Sequence, residues 1–596
     1  MDHRRDAKRQ ANAGVDRGFP LRVRIDLRRQ LFQRGSIKEL TSYYLRLLKQ
    51  DFSDCDEATT AWHRLSTHMD ELNNQHRTKV TGPLHAHWSG DDADSALFYL
   101  EDLESRFGIV RTEAMAISET IRDAASEMLA AQIHLRSTVK ECEGEGLWVD
   151  NGGTVRPPRG PIFPGESEND KAESFGTMLS YQQEINRCVN RAREASDEAA
   201  KALGRLSGDI LSGDISDRAG EAREDVKQVS KDLHTDIGKP HPPSDPKAAA
   251  EWWKLLPEDT RESYTALHPE IVGRTDGLPS TTRDDANRLA LEQELGAMEN
   301  YKYHDKYSTD EYNQRLNNLQ MLQTELDKRD GVTGEKQLYV LGFDSEGDGK
   351  AILAMGNPDT ADNVGVQVPG TATTMESTGG QLQRVDALRR SAEGADPSAK
   401  TSMVYWLGYD APEIPVSEAQ NLDVAGTGRA DDAAPTLRNF THGLRASHEG
   451  DERANMTVLG HSYGSTVVGA AAAHNGGLDV DNIAVVGSPG MTVDKAEQLN
   501  IDPDHVYAGQ AQDDDIKYAG GLSLGPDPAV PGGGFGAHRF KVDTEGHSGY
   551  WDESESGPSE SLKNQGRIIS GQSPSAGPKP PHMEPVPTPP GPRPIF

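Results

Sequence analysis

The sequence predicts an α/β fold, a mostly parallel sheet flanked by helices, preceded by a long all-α region. Three observations carry this. Beyond residue 336, short β-type runs alternate with helical patterns, as a parallel sheet with crossover helices requires. Before it, from Ser36 to about Asp236, apolar residues recur at helical spacing among many charges. Between a strand-like run at 456–459 and a helix of small residues at 465–473 lies Gly460-His461-Ser462-Tyr463-Gly464. This is the G-x-S-x-G turn that lifts a serine above the end of a sheet.

Residues 1–35 are rich in arginine, and no apolar segment follows the charges, unlike a secretory signal. They read as a disordered basic tail, or as translated upstream sequence with the native start near Gly35. Ser36-Ile37-Lys38-Glu39 has the form of a capping box and opens the helical region 36–236. Ala58, Ala61, Trp62, Leu65, Met69 and Leu72 mark one helical face. Gly82-Pro83 breaks that pattern, and Trp88-Ser89-Gly90 separates it from a second helical stretch at 93–135. A Gly/Pro-rich linker follows Trp148, and 172–233 reads as a charged, solvated helical arm. Residues 237–335 comprise a Pro-rich joint and a helical collar. The collar holds Trp252, Trp253 and a helix running from Ser280 or Thr281 to about Arg329.

The catalytic domain is expected at 336–570. Runs at 338–343 and 350–354 form an antiparallel pair around the turn at 345–349. Strands at 364–368, 402–407, 456–459, 483–486, 506–508 and 538–542 follow, with helices near 380–393 and 433–449. The serine thus follows the fifth strand. Residues 571–596 are rich in Pro and Ser and read as a disordered tail.

The pentapeptide is not specific by itself in a chain with 59 glycines, and Gly521-Leu522-Ser523-Leu524-Gly525 also matches. No apolar strand precedes Ser523 and Pro526 bars a helix after it, so Ser462 is the nucleophile candidate. A serine hydroxyl needs a base, and the base needs an acid to fix its tautomer. The strand near 506 runs into Ala511-Gln512-Asp513-Asp514-Asp515-Ile516, and the acid is expected at Asp514, with Asp513 and Asp515 as alternative registers. His547, in Glu545-Gly546-His547-Ser548 after the last strand, is the expected base. His505 and His538 fall on strands and read as structural. The oxyanion hole is expected from the backbone amide of Tyr463 and from the loop Gly370-Thr371-Ala372, with the Thr371 amide as second donor. The stretch 519–536, ten of whose 18 residues are Gly or Pro, is either a lid over the site or a plain surface loop.

Net charge is −32, which disfavours nucleic acid or an anionic membrane surface as the main partner. No apolar run is long enough to span a membrane. Cys55, Cys142 and Cys188 form neither a metal spacing nor a disulfide framework, and the chemistry calls for no metal or organic cofactor.

VGVQVPGTATT, MVYWLGYDAP, VLGHSYGS, IAVVGSPGM, the DDDI loop, LGPDP and EGHSGYWD occur in this order, preceded by WWKLLPE and HPEIVGRTDGLPSTTRDDANR. In this the chain resembles an actinobacterial alpha/beta-hydrolase family of unknown function over about residues 250–570. The resemblance implies a serine hydrolase, esterase- or lipase-like, acting on a small acyl ester. Asp515 departs from it, standing where a proline is expected, which bears on which aspartate is the acid. The helix, W-x-G turn, helix segment resembles the small WXG-type hairpin proteins of type VII secretion. This implies an alternative: a secretion-associated interaction protein or effector, binding a protein partner through its N-terminal helices, whose hydrolase half is secondary. Tyr-x-x-x-acid export signals occur only far downstream, at Tyr301, Tyr307 and Tyr409, about as often as chance gives. The expected location is therefore cytoplasmic, with type VII export left open.

Overall fold

The computed structural model describes residues 40–158, 168–209, 218–234, 236–299, 306–413, 424–450, 452–474, 476–518, 524–555 and 557–577. The basic N-terminal stretch with its capping box, the Tyr301 signal, Ser523 and the chain beyond 577 lie outside them.

The N-terminal half folds as helices Leu40–Lys49 (α1), Ser53–His76 (α2), Asp91–Gly144 (α3), Glu168–Asp209 (α4) and Arg218–Asp232 (α5). These do not form one body. The chain makes two compact units: described residues up to Ala58 with Thr120–Gly204, and Thr59–Glu119 with the residues from Arg205 onward.

In the first unit, Tyr44 and Leu47 of α1 share a core with Ala131, Leu135, Ile185 and Val189. Gln132 Nε2 donates to the Leu47 and Gln50 carbonyls, satisfying the end of α1. The stretch read as a linker contains a small hairpin, Trp148–Val149 against Val155–Arg156. Cys142 and Cys188 are buried free thiols.

The second unit takes the middle of the expected hairpin. Trp88 and Gly90 do sit between a short helix, Gly82–His87, and α3, but α3 continues to Gly144. Arg111 of α3 explains the attachment to the collar. Its guanidinium is buried and meets Asp285 bidentately (2.8 and 2.6 Å) and Asp70 of α2 at 2.7 Å.

The collar adds Pro246–Leu255 (α6), Glu258–Leu267 (α7), Ser280–Glu299 (α8) and Thr309–Asp327 (α9). The single helix expected from 280 to 329 is thus two. Ser308 restarts the second by accepting from the Glu311 amide (3.3 Å), an N-cap that a continuous helix does not use.

The sheet strands are Leu338–Asp344 (β1), Lys350–Met355 (β2), Asn363–Val368 (β3), Thr401–Leu407 (β4), Asn455–His461 (β5), Asn482–Val486 (β6), Val506–Gly509 (β7) and His538–Arg539 (β8). Their order is β8-β7-β6-β5-β3-β4-β2-β1. β1 and β2, and β2 and β4, pair antiparallel; all other pairs are parallel. Every residue of β3, β4 and β6 is buried, as strands covered on both faces must be. Thr378–Ala395 (α10), Gly428–Ser447 (α11), Tyr463–Ala473 (α12) and Glu560–Ile569 (α13) pack beside them.

β1 is an edge strand, and α8 lies along it. Asp284 accepts from the Val340 amide (2.7 Å), Asn287 donates to the Val340 carbonyl (2.9 Å), and Arg288 to that of Leu338 (3.0 Å). Arg283 donates to Leu341. Positions 283, 284, 287 and 288 share one helical face, so the Arg-Asp…Asn-Arg pattern occupies polar backbone groups that no further strand pairs. At the other edge, residues 571–577 are not the start of a disordered tail. Phe540 bridges Ala576, and the Lys541 amide donates to Ser575 (2.9 Å).

Arg111→Met leaves the half-buried Asp70 and Asp285 side by side without the guanidinium that meets both. A cost of about 3–5 kcal/mol is expected in urea unfolding, and a change under 1 kcal/mol would contradict this account of the attachment. Glu292 of α8 tests the same region by pH. Burial pushes its carboxyl up to about 8, against the pull of Arg77 and Arg111. The folded chain therefore holds this proton more tightly than the unfolded chain. The resulting stability is complete below the ordinary value of 4.5 and is lost as the pH rises through 8. Thermal melts of Glu292→Gln should match wild type at pH 4 and lie higher at pH 9.

Candidate active site

β5 ends at His461, α12 starts at Tyr463, and Ser462 makes the whole turn between them. Its backbone stands at φ 53°, ψ −132°. A residue bearing a Cβ rarely occupies this region. Two glycines make the turn fit. A Cβ on Gly464 would lie 2.3 Å from the Val368 carbonyl oxygen, and one on Gly370 would lie 2.5 Å from the Ser462 Cβ. The second contact shows how closely the loop after β3 approaches the serine.

That loop is held from the far side. Tyr409 donates to the Pro369 carbonyl (2.7 Å), and the Ala372 amide donates to Pro412 (2.8 Å). The run MVYWLGYDAP therefore supplies β4 and then the brace for Gly370 and Thr371. Behind the turn, Ser465 Oγ donates to the Ser462 carbonyl and stands 2.7 Å from Ser488 Oγ.

Of the three adjacent aspartates, Asp514 is the one that meets His547. Its Oδ1 and Oδ2 lie 3.0 and 2.9 Å from His547 Nδ1. Asp513 instead accepts from the Gly546 amide (2.9 Å), and Asp515 is exposed at the start of a short 3-10 turn. Asp514 is 1% exposed and also accepts from Tyr550 (2.6 Å) and the Ile516 amide (3.0 Å). Burial pushes its carboxyl up, and the bonds from His547, Tyr550 and Ile516 outweigh that, holding it below the usual carboxylate range. Burial pushes the Tyr550 phenol up, so it stays a donor; it accepts in turn from the Ala511 amide (3.1 Å).

His461 has a different task. Burial, then the neighbouring His547, pushes it down to about 3, so it is neutral. Its Nε2–H donates to the His547 carbonyl (2.9 Å), and its ring packs 4.9 Å from Trp551. His461 thus anchors the loop that carries His547. His505 and His538 are bound elsewhere, to Asn482 and Asp504.

Ser462 and His547 line one cavity of about 610 Å³ with Gly370, Thr371 and Arg384. No hydrogen bond joins their side chains among the described residues. The stretch expected as a lid or a loop behaves as a loop where it is described. Leu524 and Phe535 accept from the Thr492 and Ala496 amides (both 2.7 Å), and none of residues 524–536 lines the cavity. Two clusters of metal-type ligands, His134–Glu184–Cys188 and His85–Glu101–Asp327, share no residue with it. Sequence reasoning missed Tyr550, His461 as an anchor, and Arg384. The aromatic pair after His547 was the available signal for the first.

An alpha/beta hydrolase family model matches residues 344–524 of this sequence, a span that includes Ser462 and Asp514 and stops before His547. Uncharacterized protein Rv2079 of Mycobacterium tuberculosis is 30% identical over 444 residues, covering 64% of this chain and 66% of the relative. Uncharacterized protein Mb0988c of Mycobacterium bovis is 33% identical over 190 residues, 30% of this chain and 68% of that protein. The chain thus spans about two thirds of the length of these curated relatives. No solved structure matches it.

Tyr550→Phe removes one donor from Asp514 and the acceptor of the Ala511 amide. A buried amide left without its partner costs about 1–3 kcal/mol, read as a lower urea midpoint. With fewer bonds to its charged form, Asp514 should titrate at higher pH. NMR of the Asp514 carboxyl through an acid titration should show that shift in the variant, and an unmoved titration would argue against the Tyr550 bond.

Proposed function

Because the chain belongs to the alpha/beta-hydrolase family, we propose that it is a serine hydrolase cleaving carboxylic esters through Ser462, His547 and Asp514. The observation that carries this reading is the contact of His547 Nδ1 with buried Asp514, in a loop bordering the strained Ser462 turn. Asp514 stabilises the tautomer with its proton on Nδ1, leaving Nε2 as the basic nitrogen. Ser462 Oγ attacks the ester carbon while His547 Nε2 takes its proton. The tetrahedral oxyanion accepts from the amides of Tyr463 and Thr371. Ala372 is a poor candidate for that role, since its amide is committed to Pro412. The alcohol then leaves with the proton from His547. Water, deprotonated by the same nitrogen, attacks the acyl-serine and regenerates Ser462. On this reading the Ser462 hydroxyl and His547 Nε2 come within hydrogen-bond reach as the substrate binds.

The cavity wall favours the esterase half of the esterase-or-lipase expectation. Ala372 is its one aliphatic side chain among the described residues, and long acyl chains are bound by apolar walls. A short or polar acyl group fits this wall better than a fatty one.

A fluorescent fluorophosphonate should label wild type at Ser462, located by peptide mapping, and should not label Ser462→Ala. Asp514→Asn should slow labelling by about 10³–10⁴-fold, the scale on which loss of the correct tautomer acts. Absence of label on folded wild type would sink the proposal.

A further inference from the structure

Arg384 stands on α10 with its side chain at the wall of the Ser462 cavity. Its guanidinium is half-buried and lies over the Trp551 ring, 4.6 Å from the centroid. Its hydrogen-bond partner is the neutral Gln381 side chain, at 3.5 Å. The next two arginines of the same helix behave differently. Arg389 holds Asp386 and Glu393, and Arg390 holds Asp386 and Glu553. The chain carries 95 acidic residues, yet among the described residues none stands within ion-pair distance of Arg384.

A partly desolvated guanidinium without a counter-ion is unfavourable until an anion arrives. Stacked on an indole, it presents its planar fork already oriented, which suits bidentate capture of a carboxylate. The rest of the wall agrees: Thr373, Ser377, Gln381 and Ser548 offer hydrogen bonds and no greasy surface. Exposed Glu376 on the same wall disfavours a dianion such as a phosphate monoester.

We propose that Arg384 binds a carboxylate carried by the substrate, so that the ester cleaved at Ser462 is a monoanion. The cleavage rests on the serine-hydrolase reading; the anion site rests on the surroundings of Arg384 alone.

The p-nitrophenyl monoester of adipic acid and p-nitrophenyl hexanoate have acyl chains of equal length and differ at the far end, carboxylate against methyl. Wild type should cleave the adipate ester with kcat/KM at least tenfold above the hexanoate. Arg384→Gln should bring that ratio to about one, mainly through KM, and Arg384→Lys should restore part of it. A wild-type ratio of one or less, or a ratio unchanged in Arg384→Gln, would overturn the proposal while leaving the hydrolase reading intact. If neither ester is cleaved and fluorophosphonate does not label Ser462, the hydrolase reading fails instead. The anion site is then decided by saturation-transfer NMR with monomethyl adipate. Signal on wild type that is lost in Arg384→Gln supports it, and signal equal in both, or absent from both, overturns it.

Discussion

The strained turn at Ser462 is the constraint around which the second unit is built. A single non-glycine residue is held in a sparsely populated region, at a cost of about 1–3 kcal/mol. What holds it is the central position of β5, hydrogen-bonded to β3 along one side and β6 along the other. Neither end of the turn can relax without breaking a ladder or moving α12, whose Ser465 is tied to Ser488 in the loop after β6. Strain at one residue is thus offset by buried parallel pairing many residues long. The same rigidity lets the chain after three different strands (β3, β5 and β8) meet at one cavity, with the loop after β7 reaching His547.

The loops divide the work. The loop after β7 brings Asp514, the loop after β8 brings His547, and the loop after β3 brings Gly370 against the serine. His461, one residue before Ser462, then ties the His547 loop back to the turn. Ser462 and His547 are therefore positioned by the same short stretch of chain. This arrangement explains why His461 must stay neutral. Burial disfavours a charge on that ring, and a protonated ring there would also stand near the Arg384 guanidinium.

Much of this was legible before any coordinates, and the reason is range. The strand alternation and the G-x-S-x-G turn are local patterns, set by side-chain period and backbone sterics within a dozen residues. The strand count before the serine was legible for the same reason. The register among Asp513, Asp514 and Asp515 was legible only as a preference for Asp514, because it depends on which carboxylate the Tyr550 hydroxyl and the Ile516 amide reach. The division of the helical half was not legible either. Arg111 and Asp285 are 174 residues apart, and nothing local to either announces the other. The break between α8 and α9 lay in plain view as an N-cap serine, but it was hidden by a continuing supply of good helix formers on both sides. Tyr550 and Arg384 act through contacts formed only in the folded chain.

The polar face of α8 also determines where the hydrolase begins as an inheritable piece of protein. Counted by strands, it starts at Leu338. Counted by backbone groups that need a partner, it starts with the collar, because the outer side of β1 is completed by side chains some fifty residues upstream. A fragment cut at the first strand would carry an open edge, the template on which β-proteins join to one another. The collar is in this sense a ninth strand made of side chains. Recombination, truncation and design should treat Ser280 to Glu299 as belonging to the sheet.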